Sequence, residues 1–278
     1  MRSFSEFARQ AGARLPRRWQ AAGANRLLSL RRGDQRRFDV DSSGHWVNRQ
    51  PEMTIVSPDL HTAHHYQVQR AVLDNWCHHY APKPGDTVID VGAGIGEEAV
   101  IFSEMTGKRG LVVCIEAHPN TFKCLEQTVK RSRLKNVIPV HCAISDRDGP
   151  VEISDGDDHL GNRLLGGPGG LEVPGRSLDS LMGELRIHAV DLLKMNIEGA
   201  ELAAIAGMRT IAPFVKRAAI SCHDFVADAG GADSLRTLES VSAALLGYGF
   251  ELRRRKKSDR PWLRDIVYAS RAGFEPAC

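Results

Sequence analysis

The sequence predicts an α/β chain built on a mostly parallel sheet with helices on both faces. Three observations predict it. From Gly85 onward, short apolar runs alternate with helical patterns. The first run ends in a glycine turn, Val88-Ile89-Asp90-Val91-Gly92-Ala93-Gly94-Ile95-Gly96-Glu97. The connections are short, and strand–helix–strand–helix–strand order with short connections calls for parallel pairing.

Each element follows from local pattern. TVIDVG (87–92) reads as a buried strand and IGEEAVIFSEMTG (95–107) as a helix stopped by Gly107. LVVCIEA (111–117) is a second strand. The helix after it opens on Pro119, whose missing N–H costs nothing at a first helical position. NVIPVHCAI (136–144) is a third strand. Residues 154–175 are dense in glycine and polar side chains and read as one long loop, a length that tends to be functional. Ala189 to Met195, and KRAAISCHDF (216–225), are further strands, with GAELAAIAGM (199–208) a helix between them. A helix over 233–249 precedes two final strands, 250–255 and 263–270, the place for an antiparallel edge pair.

Upstream, Pro16 divides residues 4–30 into two short basic amphipathic helices. RRFDVDSSGHWVNR (36–49) carries a hairpin signal at Ser42-Ser43-Gly44. Residues 62–80 read as a helix ended by Pro82 and Pro84. The division is therefore 1–60, basic helices and hairpin, and 61–278, the α/β domain. The former is expected to act as a lid, substrate or interaction element.

Composition bounds the function. The 278 residues are 42% hydrophobic and 26% charged, ordinary globular values. No apolar run reaches the roughly 18 residues of a spanning helix, and arginines interrupt any signal-like stretch at the N-terminus. The six cysteines are scattered without a CxxC pair, so reduced thiols and a cytoplasmic location are expected. Residues 1–37 hold ten arginines against Glu6 and Asp34, a balance of +8. With +3 overall, the other 241 residues sum to −5. The two basic runs, this one and Arg253-Arg254-Arg255-Lys256-Lys257, are either solvated surface or a docking face for an anionic partner or membrane.

A strand, a glycine turn and a helix present backbone N–H groups at the strand's C-terminal edge. The spacing Gly92, Gly94, Gly96 is GxGxG, and Glu97 stands where a dinucleotide fingerprint has its third glycine. A carboxylate there, with Asp90 before the turn, suits a cationic or neutral ligand better than a diphosphate. Glu116 ends the next strand, where an acid accepts ribose hydroxyls in more than one kind of cofactor.

Further blocks carry a resemblance: C-I-E-A-H-P-N-T-F (114–122), P-V-H-C-A-I-S-D (139–146), S-L-D-S-L (177–181) and L-L-K-M-N-I-E-G-A-E (192–201). Together with the turn they resemble the FkbM-type S-adenosylmethionine-dependent methyltransferases, over roughly residues 85–223. The E-x-x-P-x-x-F block followed by K-x-x-x-E-G-x-E is the specific part. The resemblance implies a Rossmann-like class I methyltransferase fold with a seven-stranded sheet. It also implies O-methylation of a small-molecule hydroxyl on a sugar, polyketide or related metabolite. Asp90, Gly92, Ala93, Gly94 and Gly96 would then face the methionine part and Glu116 the ribose. Ala117 and His118 would flank the adenine from one side, Cys142 and Ala143 from the other. The chain departs from the family at Asn196, where Asp is usual.

For chemistry, Lys194, Asn196 and Glu198 alternate and share one face of a strand end. Glu198 either caps the following helix or contacts a ligand. Lys194 either pairs with Glu198 or Asp90 or acts in catalysis. His223 is the expected general base, with a structural histidine as the alternative. His61, His64, His65 and Tyr66 open the helix that in methyltransferases often covers the cofactor, and His159 and Asn162 either reach the acceptor or belong to a mobile surface loop. A divalent metal on Asn196, His223 and Asp224 is an alternative; no metal is predicted. Three rival functions remain, one of them a non-catalytic binding protein that keeps the fold, for which Asn196 is the only hint. A nicotinamide-dependent oxidoreductase is weakened by Glu97. A nucleic-acid methyltransferase is weakened by the missing N-P-P-Y-like block and 6% aromatic content. A nucleic-acid partner is therefore not expected, and membrane contact is restricted to a peripheral one through the basic N-terminus.

Overall fold

The computed structural model describes residues 15–31, 33–154 and 170–273. The first predicted N-terminal helix, and His159 and Asn162, lie outside the described residues.

The central sheet grows from runs buried on both sides, as a helix-covered parallel sheet requires. Its strands are β4 (Thr87–Val91), β5 (Leu111–Glu116), β6 (Val137–His141), β10 (Leu192–Met195), β11 (Arg217–Ser221), β12 (Glu251–Arg253) and β13 (Ile266–Ser270). Their order is β12-β13-β11-β10-β4-β5-β6. β13 runs antiparallel to both neighbours, and the other pairings are parallel. This is the seven-stranded order of a Rossmann-like class I methyltransferase. The chain moves outward one way through β5 and β6, then restarts at β10 beside β4. The β4/β10 boundary is thus the switch point, where ligands collect at strand C-termini.

Helices cover both faces. They include α2 (His65–Asn75), α3 (Glu97–Thr106), α4 (Pro119–Arg131), α5 (Leu178–Glu184), α6 (Glu201–Ala206), α7 (Asp224–Asp228), α8 (Leu238–Gly247) and α9 (Pro261–Arg264). Pro119 starts α4 as expected. Ser177 caps α5 by accepting the Ser180 N–H at 3.1 Å. The predicted helix over 233–249 splits: a 3-10 turn occupies Asp233–Leu235, and the α-helix begins only at Leu238. Asp224 causes the break by accepting the N–H groups of both Thr237 and Leu238 at 3.0 Å.

Two small sheets complete the fold. The predicted hairpin is β1 (Arg37–Val40) and β2 (Trp46–Arg49), extended by an unforeseen β3 (Thr54–Ser57) into an antiparallel meander. α1 (Arg17–Ser29) packs on it through Ala21, Ala24 and Leu28 against Phe38 and Trp46. The second sheet is β7 (Ala143–Ile144), β9 (Leu171–Arg176) and β8 (Gly149–Ile153), in that order. The strand expected over 136–144 therefore breaks at Cys142. The last residues of the expected loop are strand β9, paired with β8 from Gly149↔Gly175 to Ile153↔Leu171. Pro174 is accommodated because β7 reaches only Gly175 and Arg176, which leaves one edge of β9 open at the proline; Gly175 is accommodated because a Cβ there would fall 2.6 Å from the Gly149 carbonyl oxygen.

The meander is joined to the main sheet by a shared apolar cluster holding Val47, Ile55, Val56, Val100 and Leu125. It is also stitched to α4. Thr54 N–H donates to Ser132 Oγ at 2.9 Å and Val56 N–H to Thr128 Oγ1 at 3.0 Å. Thr128→Val keeps the shape but strands the buried Val56 N–H. The expected loss is about 1–3 kcal/mol of stability, read as a lower denaturant midpoint at unchanged slope.

Candidate active site

The glycine turn is shaped by close approach on one side and space on the other. Gly92, Gly94 and Gly96 all have positive φ, at 75°, 56° and 85°. A Cβ on Gly92 would fall 2.0 Å from the carbonyl oxygen of Asn196, and one on Gly96 2.7 Å from Leu125 Cδ1. A Cβ on Gly94 would meet nothing within 4 Å, so the turn is open at its centre. Gly92 and Ala93 donate to the carbonyl of Ile115 at 2.9 and 3.0 Å, which locks the turn to the end of β5.

Glu116 closes the same edge. Its carboxylate accepts the Gly94 N–H at 3.0 Å and the His118 N–H at 2.8 Å. Burial raises its pKa, while those two N–H donors oppose the rise. A half-buried carboxylate beside an open turn retains lone pairs for a diol, so these residues fit the ribose of a nucleoside cofactor. Ala117 packs with Ala143 in a small cluster with Ile153 and Val173. The structure thus brings together two of the four residues expected around the adenine. His118 is half-buried next to Ala117, and Cys142 turns its side chain into the main core, 2% exposed.

Beneath the turn lies a buried charge cluster. Lys194, 1% exposed, sits 2.7 Å from Asp90 Oδ1 and 3.1 Å from Glu98 Oε2, and donates to the Gly92 carbonyl at 2.8 Å. Trp76 donates from Nε1 to Glu98 Oε1 at 2.6 Å, and its ring lies 5.1 Å from Nζ. Burial works against the ammonium, but Asp90 and Glu98 more than offset it and hold Lys194 charged. With its three protons so directed, Lys194 has none left for a substrate. Its expected catalytic role gives way to the alternative of an ion pair with Asp90. Asp90 Oδ2 has no hydrogen-bond partner among the described residues, which leaves one buried acceptor at the turn, consistent with a cationic ligand group.

A second cluster stands at the ends of β10 and β11. His223, 4% exposed, lies 3.2 Å from Glu198 through Nε2 and 3.2 Å from Glu201 through Nδ1. Burial lowers its pKa, but the two carboxylates outweigh burial and carry it up to about 9. An imidazolium has no lone pair for an incoming proton, so the general-base role expected of His223 does not fit this geometry. Glu201 is fully buried and also accepts from Gly199 N–H and Thr237 Oγ1, both at 3.0 Å. Glu198 is the outward member, its side chain 22% exposed. It adopts φ 51°, rare for a residue with a side chain, and strain of that kind gathers at functional sites. Asn196 is half-buried on the same strand end.

Asp224, offered as a metal ligand, is instead committed to the α8 N-terminus. Among the described residues, no group of three or more His, Cys, Asp or Glu side chains has the arrangement to hold a metal ion. His61 forms a close pair with Glu97 at the start of α3, while His65 pairs with Glu104 at 2.9 Å. The two histidines thus serve separate carboxylates. Sequence reasoning missed Glu98, Trp76 and Glu201 as members of these clusters. Glu201 had a signal, as the last letter of K-x-x-x-E-G-x-E; Trp76 and Glu98 had none, because their meeting depends on how α2 packs against α3.

Two outcomes are expected. Gly94→Ala adds a side chain into open space at the turn's centre and costs only roughly 1–2 kcal/mol of backbone strain, whereas Gly92→Ala collides with Asn196; thermal melts should rank the second well below the first. His223 has a folded-state pKa above its ordinary 6.5. Its ion pairs therefore stabilise fully below about pH 6.5 and fade as pH rises through about 9. Urea titrations should show the wild type losing its advantage over His223→Gln across that window, by roughly 3 kcal/mol at most.

Comparison with known proteins agrees with this architecture. Residues 90–225 match the model of the methyltransferase FkbM domain. The chain is 30% identical over 147 residues to 2-O-methyltransferase NoeI of Sinorhizobium fredii, covering 45% of this chain and 58% of that protein. It is 38% identical over 55 residues to a protein-L-isoaspartate O-methyltransferase of Methanococcus aeolicus, covering 20% and 26%. The chain thus spans less than two thirds of either curated relative. Among solved structures, it is similar to methyltransferase FkbM from Methylobacillus flagellatus (TM-score 0.47, 19% identity, 66% of this chain and 43% of that one). It is also similar to Aeropyrum pernix fibrillarin with bound S-adenosyl-L-methionine (TM-score 0.45, 16% identity, 84% and 97%). The stretch that matches the FkbM methyltransferase domain is thus the one that carries the turn, Glu116, Lys194, Glu198 and His223.

Proposed function

We propose that this chain is an S-adenosylmethionine-dependent O-methyltransferase acting on a hydroxyl of a small molecule, a sugar or a glycosylated or polyketide metabolite. The observation that carries the reading is the placement of an open glycine turn and a strained, outward carboxylate at neighbouring strand ends. One relative is a 2-O-methyltransferase, which supports oxygen as the acceptor atom. When bound, S-adenosylmethionine supplies a methyl group on a sulfonium. The residues that would hold it are Asp90, Gly92, Ala93, Gly94 and Gly96 at the methionine end, Glu116 at the ribose, and Ala117, His118, Cys142 and Ala143 around the base.

The chain's own part in the reaction is alignment and proton acceptance. Alignment of reacting groups is worth roughly 7–11 kcal/mol in the best intramolecular models. Glu198 takes the hydroxyl proton, and Asn196 hydrogen-bonds the acceptor from the same strand end. His223, kept as an imidazolium by Glu201 behind it, balances Glu198 and fixes its direction. Lys194 acts indirectly by holding Asp90 and the Gly92 carbonyl. Five buried free thiols, Cys77, Cys114, Cys124, Cys142 and Cys222, go with a cytoplasmic location in this reading.

Calorimetry tests the cofactor: S-adenosylmethionine should bind and NAD should not, and the reverse result ends the proposal. A radiolabelled-methyl assay on a panel of sugars and polyketides tests the acceptor. Glu198→Gln should lower turnover by about 10²–10⁴-fold while leaving the affinity for S-adenosylmethionine unchanged.

A further inference from the structure

The exposed face of α1 has a composition that packing does not explain. Ala21, Ala24 and Leu28 turn inward, and Asn25 bolts the helix to β1 by exchanging hydrogen bonds with Phe38 at 2.7 and 2.8 Å. The outward side carries Trp19 at 70% exposure, Leu27 at 41% and Leu30 at 80%, with Leu15 at 55% just before the helix. Among the described residues, four of the eleven exposed large apolar side chains therefore fall between positions 15 and 30. Trp19, Gly23, Leu27 and Leu30 follow helical spacing, so they form one stripe. Arg18, Arg26 and Arg31 flank it, all exposed, and the helix contains no acid.

We propose that this face docks the protein on an anionic phospholipid surface. The chemistry favours that occupant. Tryptophan and leucine on a helix without acids match the headgroup–acyl boundary, where an apolar face enters and arginine heads stay with phosphates. A nucleic-acid backbone would use the arginines but leaves three leucines and a tryptophan without a role. The charge is also local: residues 1–37 carry +8 while the rest of the chain sums to −5, so an anionic surface would be met by this end and repelled by the remainder.

The helix is fixed relative to the catalytic cleft. Arg17 donates from Nη1 to the carbonyls of Gly44 at 2.7 Å and Pro58 at 2.8 Å. Arg36 donates to the carbonyl of Thr62. Both clamps hold the segment that carries His61 to Glu97, beside the glycine turn. Tyr66, 61% exposed, follows immediately on that segment. Docking through α1 thus orients the cleft with respect to the membrane.

The full chain should co-sediment with vesicles of phosphatidylcholine mixed with phosphatidylglycerol, and far less with phosphatidylcholine alone. Trp19→Gln with Leu30→Gln, and separately Arg18→Gln with Arg26→Gln, should each lower partitioning about tenfold or more. These positions are exposed, so an unchanged melting temperature and S-adenosylmethionine affinity are expected in both variants. Failure of the wild type to bind anionic vesicles overturns the proposal, as does a Trp19→Gln/Leu30→Gln variant that binds like wild type. A short RNA that displaces the vesicles and binds that variant undiminished would assign the face to nucleic acid instead. Because the readout is sedimentation, its failure leaves the methyl-transfer reading untouched.

Discussion

The fold turns on one buried ammonium. Lys194 joins the two strands at the switch point: it rises from β10, reaches Asp90 of β4 and the Gly92 carbonyl, and meets Glu98 on α3. Removing any one partner would strand charge in a largely buried site. Breaking such a cluster typically costs about 3–5 kcal/mol, even though an apolar replacement of the whole can be neutral. The charge is thus best explained by what it positions. It sets the carbonyl of Gly92, and so the turn, at the boundary where both halves of the sheet present their C-terminal ends.

The second cluster repeats the logic with the same signs, one cation between two carboxylates. There the cation is His223 and the anions are Glu198 and Glu201, one at the cleft and one sealed behind it. The inner carboxylate is fastened by Gly199 and Thr237, so the imidazole has a fixed plane, and the outer carboxylate inherits its direction. Two three-member ionic arrays at adjacent strand ends make a cleft that is polar yet rigid. Such a cleft needs little reorganisation when charge moves within it.

Much of the sheet was legible in the sequence because buried parallel strands are continuous apolar runs and glycine turns punctuate them. β4, β5, β10 and β11 were read within a few residues. What escaped were elements defined by partners. β3 and β9 have weak strand patterns and exist because β2 and β8 lie beside them. The start of α8 is set by Asp224, from another element. The site followed the same division. Glycines, Glu116, Lys194 and His223 stood out by position in a motif. Their roles did not, because a histidine's protonation depends on what faces each nitrogen. Here those neighbours are Glu198 and Glu201, and only the turn at Glu198-Gly199 folds both onto it.

Residue 196 shows how a motif letter and a structural contact can part company. The family that the chain resembles usually has Asp where this chain has Asn, yet the tight contact with Gly92 is made by the backbone carbonyl of that residue. Its own N–H continues the ladder to Val91. The turn thus constrains the main chain of residue 196 and not its side chain. An amide can therefore stand in place of an acid there without disturbing the turn.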